Sequence, residues 1–198
     1  RSLEGLGRRS QDDLCGLPGS EPAEWPSCGD PGYAWADVKT CAFEVLLDGA
    51  PAEVWDGLSQ LGGREDLYFD PKLWRLRGWV DECLGGPGFR LGRDDPEAFA
   101  PGDKVDFWRV ESVAPGRRLR LTAQMRMPGQ AVLEYAVDGS SQGTRLRQSL
   151  RYAPRGLLGA LYWWALSPAH DWIYAGMLGR VARATGRRLL AGPSKVRL

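Results

Sequence analysis

Histidine is nearly absent. His170 stands alone among 198 residues, and its nearest carboxylate, Asp171, is its neighbour in sequence. Adjacent helical residues do not face each other, which weighs against a Ser-His-Asp relay. His170 then reads either as a partly exposed residue after a proline kink or as a polar group in a ligand pocket. Cysteine is scarce too: Cys15, Cys28, Cys41 and Cys83 contain no Cys-x-x-Cys pair and read as reduced thiols of a cytoplasmic protein. No run of 18 or more apolar residues occurs, which excludes an ordinary membrane span, and Arg1-Ser2-Leu3-Glu4-Gly5 has no apolar signal core. An excess of one charge is also missing. The 26 Lys and Arg against 25 Asp and Glu leave +1, without the basic surplus by which a nucleic-acid binder neutralises phosphates. Phosphate-loop, dinucleotide, His-Glu-x-x-His and serine-elbow patterns are absent, so no cofactor and no metal is expected.

Turn formers are plentiful. With 26 Gly and 14 Pro beside 43% hydrophobic residues, the chain is globular in composition and unsuited to a long coiled coil, and its length suits one principal core. Residues 1–36, punctuated by Pro18, Gly19, Pro22, Pro26, Gly29, Pro31 and Gly32, read as an extended arm or linker. Residues 37–188 carry the periodic signal of the folded domain, and 189–198, with Lys195 and Arg197, read as a basic, solvated tail. Gly186, Gly192 and Pro193 break any continuous amphipathic helix there, so no stable membrane insertion is expected.

Within the domain, Asp37 to Leu46 reads as a strand ending at the Asp48-Gly49 turn, and Pro51 opens a helix carrying Val54, Trp55, Leu58 and Leu61. A second helix, from Lys72 to Leu84, places Leu73, Leu76, Trp79 and Val80 on its apolar side and stops at Gly85-Gly86-Pro87-Gly88. The period then changes to two. Val105 to Val113 reads as one strand, Leu119 to Met127 alternates cleanly with Arg120, Thr122, Gln124 and Arg126, and two further strands cover Ala131 to Val137 and Thr144 to Tyr152. Short glycine-containing turns between them predict an antiparallel meander with one buried face. Pro154 to Arg188 reads as a long helix with Leu158, Leu161, Ala165 and Trp172 near its inward stripe and Pro168 kinking or dividing it. The fold class is therefore α+β, with that helix covering the sheet.

Two stretches concentrate carboxylates, guanidinium groups and aromatic rings: Asp66, Tyr68, Trp74, Arg75, Arg77, Trp79 and Asp81, then Asp103, Asp106, Trp108, Arg109 and Glu111. Arginine clamps a carboxylate through paired hydrogen bonds and tryptophan supplies a stacking surface, yet the same residues also serve as structural anchors. Both readings stay open.

The motifs Leu61-Gly62-Gly63-Arg64, Leu73-Trp74-Arg75-Leu76-Arg77-Gly78, Gly102-Asp103-Lys104-Val105-Asp106-Phe107-Trp108-Arg109-Val110 and Met127-Pro128-Gly129 form a distinctive set. Pro154-Arg155-Gly156-Leu157-Leu158-Gly159, followed by Tyr162-Trp163-Trp164, completes it. Together they resemble an uncharacterised bacterial domain family often found C-terminal to NmrA-like NAD(P)-binding domains. The resemblance implies a START-like (SRPBCC) helix-grip fold, a curved antiparallel sheet wrapped around a long C-terminal helix, and commonly an apolar cavity. A useful ligand cavity would measure roughly 300 Å³ or more. On this reading the chain binds a small hydrophobic or aromatic molecule, with Tyr68, Trp74, Arg77, Asp106, Trp108, Arg109, Met125, Tyr135, Gln148, Tyr152, Trp164, His170 and Trp172 as candidate ligand residues. One alternative is a cyclase, hydratase or hydrolase using Tyr68, Asp106, Arg109, Tyr152 and His170 for orientation or proton transfer. Another is an accessory interaction module for a reductase, with a solid core and an exposed apolar patch. The resemblance also implies that the chain has either lost the NAD(P)-binding partner domain or meets an NAD(P)-binding protein in trans, since residues 1–36 lack the glycine fingerprint and the length of a βαβ unit.

Overall fold

The computed structural model describes residues 38–62, 71–89, 91–95 and 98–197. Two units are distinguished, 1–38 and 39–198, and the fold below is that of the second. The proposed arm, Cys15, Cys28, Asp66 and Tyr68 lie outside the described residues.

Alternation builds the sheet. In β1 (Lys39–Leu47), β4 (Arg118–Ala123), β5 (Gly129–Ser140) and β6 (Gly143–Pro154), alternate side chains turn inward and are mostly apolar and buried, with Thr144 and Gln148 as buried polar members of β6. Phe43, Val45, Leu119, Leu121, Leu133, Tyr135, Leu146, Leu150 and Tyr152 make up much of one continuous core. The intervening positions carry charge and pair across strands on the other face. Glu44 lies opposite Arg147, 3.6 Å from its guanidinium, and Arg120 lies opposite Glu134 at 3.4 Å. With β2 (Lys104–Val105), β3 (Trp108–Ala114) and β7 (Leu189–Val196), the order is β2-β3-β4-β5-β6-β1-β7, antiparallel throughout.

Three helices complete the described fold. α1 (Pro51–Leu58) starts at a proline, with Glu53 accepting the Ala50 N–H at 2.9 Å, and buries Val54 and Leu58. α2 (Pro71–Cys83) follows, and α3 (Gly156–Ala184) crosses the concave face of the sheet. This is the helix-grip arrangement of a curved antiparallel sheet around a long C-terminal helix. Pro168 sits inside α3 without dividing it. Its missing N–H would leave Trp164 O without its usual donor four residues on, and Ser167 Oγ donates to that carbonyl at 3.2 Å.

Several expectations need correction: the strand read over Leu119 to Met127 ends at Ala123, and Leu76, Trp79 and Val80, read as the apolar side of the second helix, stand exposed on α2. The single strand over 105–113 is a tight hairpin: Asp106 adopts φ 58° and turns β2 back into β3, a conformation that Asp tolerates better than most residues. Its Oδ1 accepts the Gly92 N–H at 2.8 Å, and a register shift between Val110 and Ser112 moves Val113 out of phase. The long helix ends at Ala184 rather than Arg188. Finally, residues 189–196 form β7 along the free edge of β1 instead of a tail, locked at its start by the Arg188 N–H donated to Asp48 Oδ1. Gly192 and Pro193, which rule out a continuous amphipathic helix there, are tolerated in a strand because β7 is an edge.

Candidate ligand pocket

A cavity of about 180 Å³ opens between α2, the ends of β3 to β6, and the N-terminal half of α3. Its position follows from two close approaches. Gly159, in the first turn of α3, lies so near the segment before β5 that an added Cβ would stand 2.3 Å from Pro128 O. On the other side, α2 is tied down through Asp81, which is fully buried. Asp81 accepts the backbone N–H groups of Gly88 at 2.9 Å and Arg126 at 2.5 Å. Arg77 Nη1 lies 3.5 Å from the same carboxylate, and Arg77 Nη2 donates to Arg126 O at 2.7 Å.

Two aromatic walls face the space. From α2 and β3, Trp74 stacks on Phe107 with centroids 5.2 Å apart, and Phe107 meets Trp108 at 5.1 Å. From β6 and α3, Tyr152 lies nearly parallel to Trp163 at 5.6 Å, and Trp163 meets His170 at 4.6 Å. Met125, Met127, Ala123, Leu150, Leu166, Ala169 and Ile173 fill between them. These stacked rings occupy much of the room between sheet and helix, which is why the cavity falls short of the roughly 300 Å³ expected. A shallower depression of about 380 Å³ around Arg75, Trp79, Glu82 and Leu91 lies on the outer side of α2.

The cavity is almost without polar groups. His170 lines it, its Nδ1 is buried without a hydrogen-bond partner, and burial lowers the imidazole pKa, partly opposed by Asp171. The imidazole is thus held neutral near neutral pH. Tyr174 also lines the space, and burial pushes its phenol well above the ordinary value. Tyr152 OH is already engaged, donating to Pro128 O at 2.8 Å. Behind α3, the Cys41 thiol donates to Asp171 Oδ1 at 3.4 Å, and burial pushes its pKa up to about 12, so it is no nucleophile. Among the described residues no group of His, Cys, Asp and Glu is arranged to hold a metal.

Of the candidate residues, Trp74, Arg77, Trp108, Met125, Tyr152 and His170 come together around the cavity. The others do not. Asp106 is the hairpin residue described above, and Arg109 is exposed on β3 opposite Thr122. Tyr135 and Gln148 face each other across β5 and β6, fully buried beneath α3 and away from this cavity, with Gln148 Nε2 donating to Tyr174 O at 3.4 Å. Trp164 and Trp172 point outward, with 69% and 56% of their surface exposed, as do Leu158, Leu161 and Ala165. The inward stripe of α3 is the opposite one: Gly159, Tyr162, Trp163, Leu166, His170, Ile173, Tyr174 and Met177. Because α3 is apolar on both sides between Gly156 and Ala169, hydrophobicity alone does not select the buried face. The flanking of His170 by Trp163 seven residues before and Tyr174 four after was the available signal, since those spacings share a face. Phe107 was missed because it was read as an ordinary position of a continuous strand, whereas the turn at Asp106 carries it against Trp74.

A profile described as "Protein of unknown function (DUF2867)" matches residues 31–177, three quarters of the chain and every lining residue of the pocket. The chain belongs to the DUF2867 family. No curated protein matches it in sequence. Among solved structures, this DUF2867 chain is similar to a protein from Rhizobium leguminosarum, at 16% identity over 76% of this chain and 96% of that one, with a TM-score of 0.46. It is also similar to the di-domain ARO/CYC protein StfQ from the steffimycin biosynthetic pathway, at 10% identity over 75% of this chain and 51% of that one, TM-score 0.46. CalU16 from Micromonospora echinospora matches at 12% identity over 75% and 85%, TM-score 0.38. Likenesses this distant carry nothing about what a DUF2867 pocket holds. Among the described residues no helix is long and apolar enough to cross a membrane.

Proposed function

We propose that this domain binds a small, neutral aromatic or aliphatic molecule in the cavity between α2, the sheet and α3. The observation that carries the reading is a cavity of about 180 Å³ walled by stacked aromatic rings and methionines, with one neutral imidazole among them. An apolar cavity of about 150 Å³ is known to stay dry and take up benzene, so this space suits a single ring or a short alkyl chain. Larger ligands require Trp74 or Trp163 to swing aside.

Native mass spectrometry of the purified chain, followed by identification of whatever is released on denaturation, tests occupancy without a guessed ligand. The expected outcome is a defined apolar or aromatic molecule, absent when Ala123→Phe fills the space. Failing a carried ligand, indole and phenol are titrated while tryptophan fluorescence is followed, with the same variant as control. A protein that is empty as purified and whose fluorescence responds to neither compound, or responds equally in Ala123→Phe, overturns the reading. An enzymatic role would rest on His170, which among the described residues of the proposed proton-transfer set lines the cavity with a ring nitrogen that has no hydrogen-bond partner. The family match over residues 31–177 lends no support to an NAD(P)-binding partner.

A further inference from the structure

α3 has a second apolar face. Taking Leu157 as origin and about 100° per residue, Leu161, Trp164, Pro168 and Trp172 fall within an arc of about 80° that points away from the cavity side. Leu158 extends the arc. Leu157 is 75% exposed and Leu161 56%, so the large side chains of this stripe stand in solvent. Together they present on the order of 600 Å² of apolar surface, at the upper end of the largest patch that a monomer leaves bare and close to the ~800 Å² per partner of a standard interface. No charged side chain lies between Gly156 and His170; Arg155 bounds the stretch at one end and Asp171 at the other.

We propose that this face of α3 is the interface of a homodimer, two copies packing their α3 stripes antiparallel across a twofold axis near Trp164. A twofold sets a surface against itself, so any charge on it meets its own sign; a stripe without charge escapes that cost. Asp171, at the far end of the stripe, is already paired with Lys195 at 2.5 Å and so sets no bare charge against the partner copy. A lipid surface fits less well. Interfacial helices set an apolar face against a strongly charged one rich in Lys and Arg, whereas the other face of this segment is the apolar pocket wall. The proposal does not depend on what the pocket binds.

Sedimentation velocity of the full chain, under reducing conditions and at up to about 100 µM, reads it directly. A species of twice the chain mass is expected, and Trp164→Glu and Leu157→Glu should each weaken association at least about 30-fold, as removal of a central anchor does. Both substitutions are at exposed sites, and circular dichroism verifies that the variants are folded. Trp79→Glu, on the exposed side of α2, should leave the dimer intact. A chain that stays monomeric over the whole range overturns the proposal, as does a dimer that survives both α3 substitutions or dissociates only with Trp79→Glu. Monomeric protein that co-sediments with phosphatidylcholine–phosphatidylglycerol vesicles, and loses this with Trp164→Glu, would also overturn it and assign the face to lipid.

Discussion

Asp81 offers the sharpest test of how the pocket is held. Its carboxylate has no exposed surface, accepts two backbone N–H groups from Gly88 and Arg126, and faces Arg77 Nη1 at 3.5 Å. The Asp81→Ala variant strips all three partners at once. A buried donor left without an acceptor costs about 1–3 kcal/mol, and losing one member of a buried ion pair costs about 3–5 kcal/mol. These figures overlap and do not add. The Arg77 side chain keeps 21% of its surface exposed and can turn toward water, which favours the lower part of the range. A loss of about 3 kcal/mol is the outcome expected, which for a chain of this size lowers Tm by about 6–12 °C. Asp81→Asn retains one acceptor and should lose less. Urea unfolding followed by tryptophan fluorescence and by circular dichroism measures both variants. A loss under about 1 kcal/mol for Asp81→Ala would refute the view that this carboxylate fastens α2 to the sheet.

Two further outcomes follow from the same geometry. In Gly159→Ala the new methyl group meets Pro128 O at 2.3 Å and Pro154 Cα at 2.8 Å, and because both belong to backbone the helix start must move. A stability loss of about 1–3 kcal/mol in urea is expected, with altered Trp163 fluorescence, and an unaltered variant would count against the close approach. His170 makes stability depend on pH. Burial holds its folded pKa below the ordinary 6.5, so as acid is added the unfolded chain takes up the proton first. The stability it contributes is complete above about pH 6.5 and is lost as pH falls from there toward the lower folded value. Tm measured from about pH 8 to pH 5 should therefore fall more steeply for the parent than for His170→Phe; parallel profiles would sink the argument.

The strands and their faces were legible because period-two alternation is local: Leu119, Leu121, Leu133, Leu146 and Leu150 are buried as their spacing says, and Glu44, Glu134, Arg145 and Arg147 lie on the charged face. Where the alternation is interrupted the reading fails. Nothing in Val105-Asp106-Phe107-Trp108 announces that Asp106 takes a positive φ, since the hydrogen bond that supports it comes from Gly92, fourteen residues away. Leu189–Val196 pairs with β1 only because the fold leaves that edge open beside it. Half of the candidate pocket residues converge, and they are mostly those whose ring or guanidinium group stands on a strand end or on the inner side of α2.

From sequence alone come the element types and nearly all their order, the antiparallel meander, the one-sided sheet and the presence of a long covering helix. Each rests on spacing that every residue reads from its neighbours. The phase of α3, the volume left between Trp74, Tyr152 and Trp163, and the burial of Asp81 were decided by the tertiary structure. A helix that is apolar on two sides turns to suit the sheet and the glycine against which it packs. Cavity size is a small difference between the space those elements enclose and the rings that fill it, and no local pattern encodes a difference of that kind.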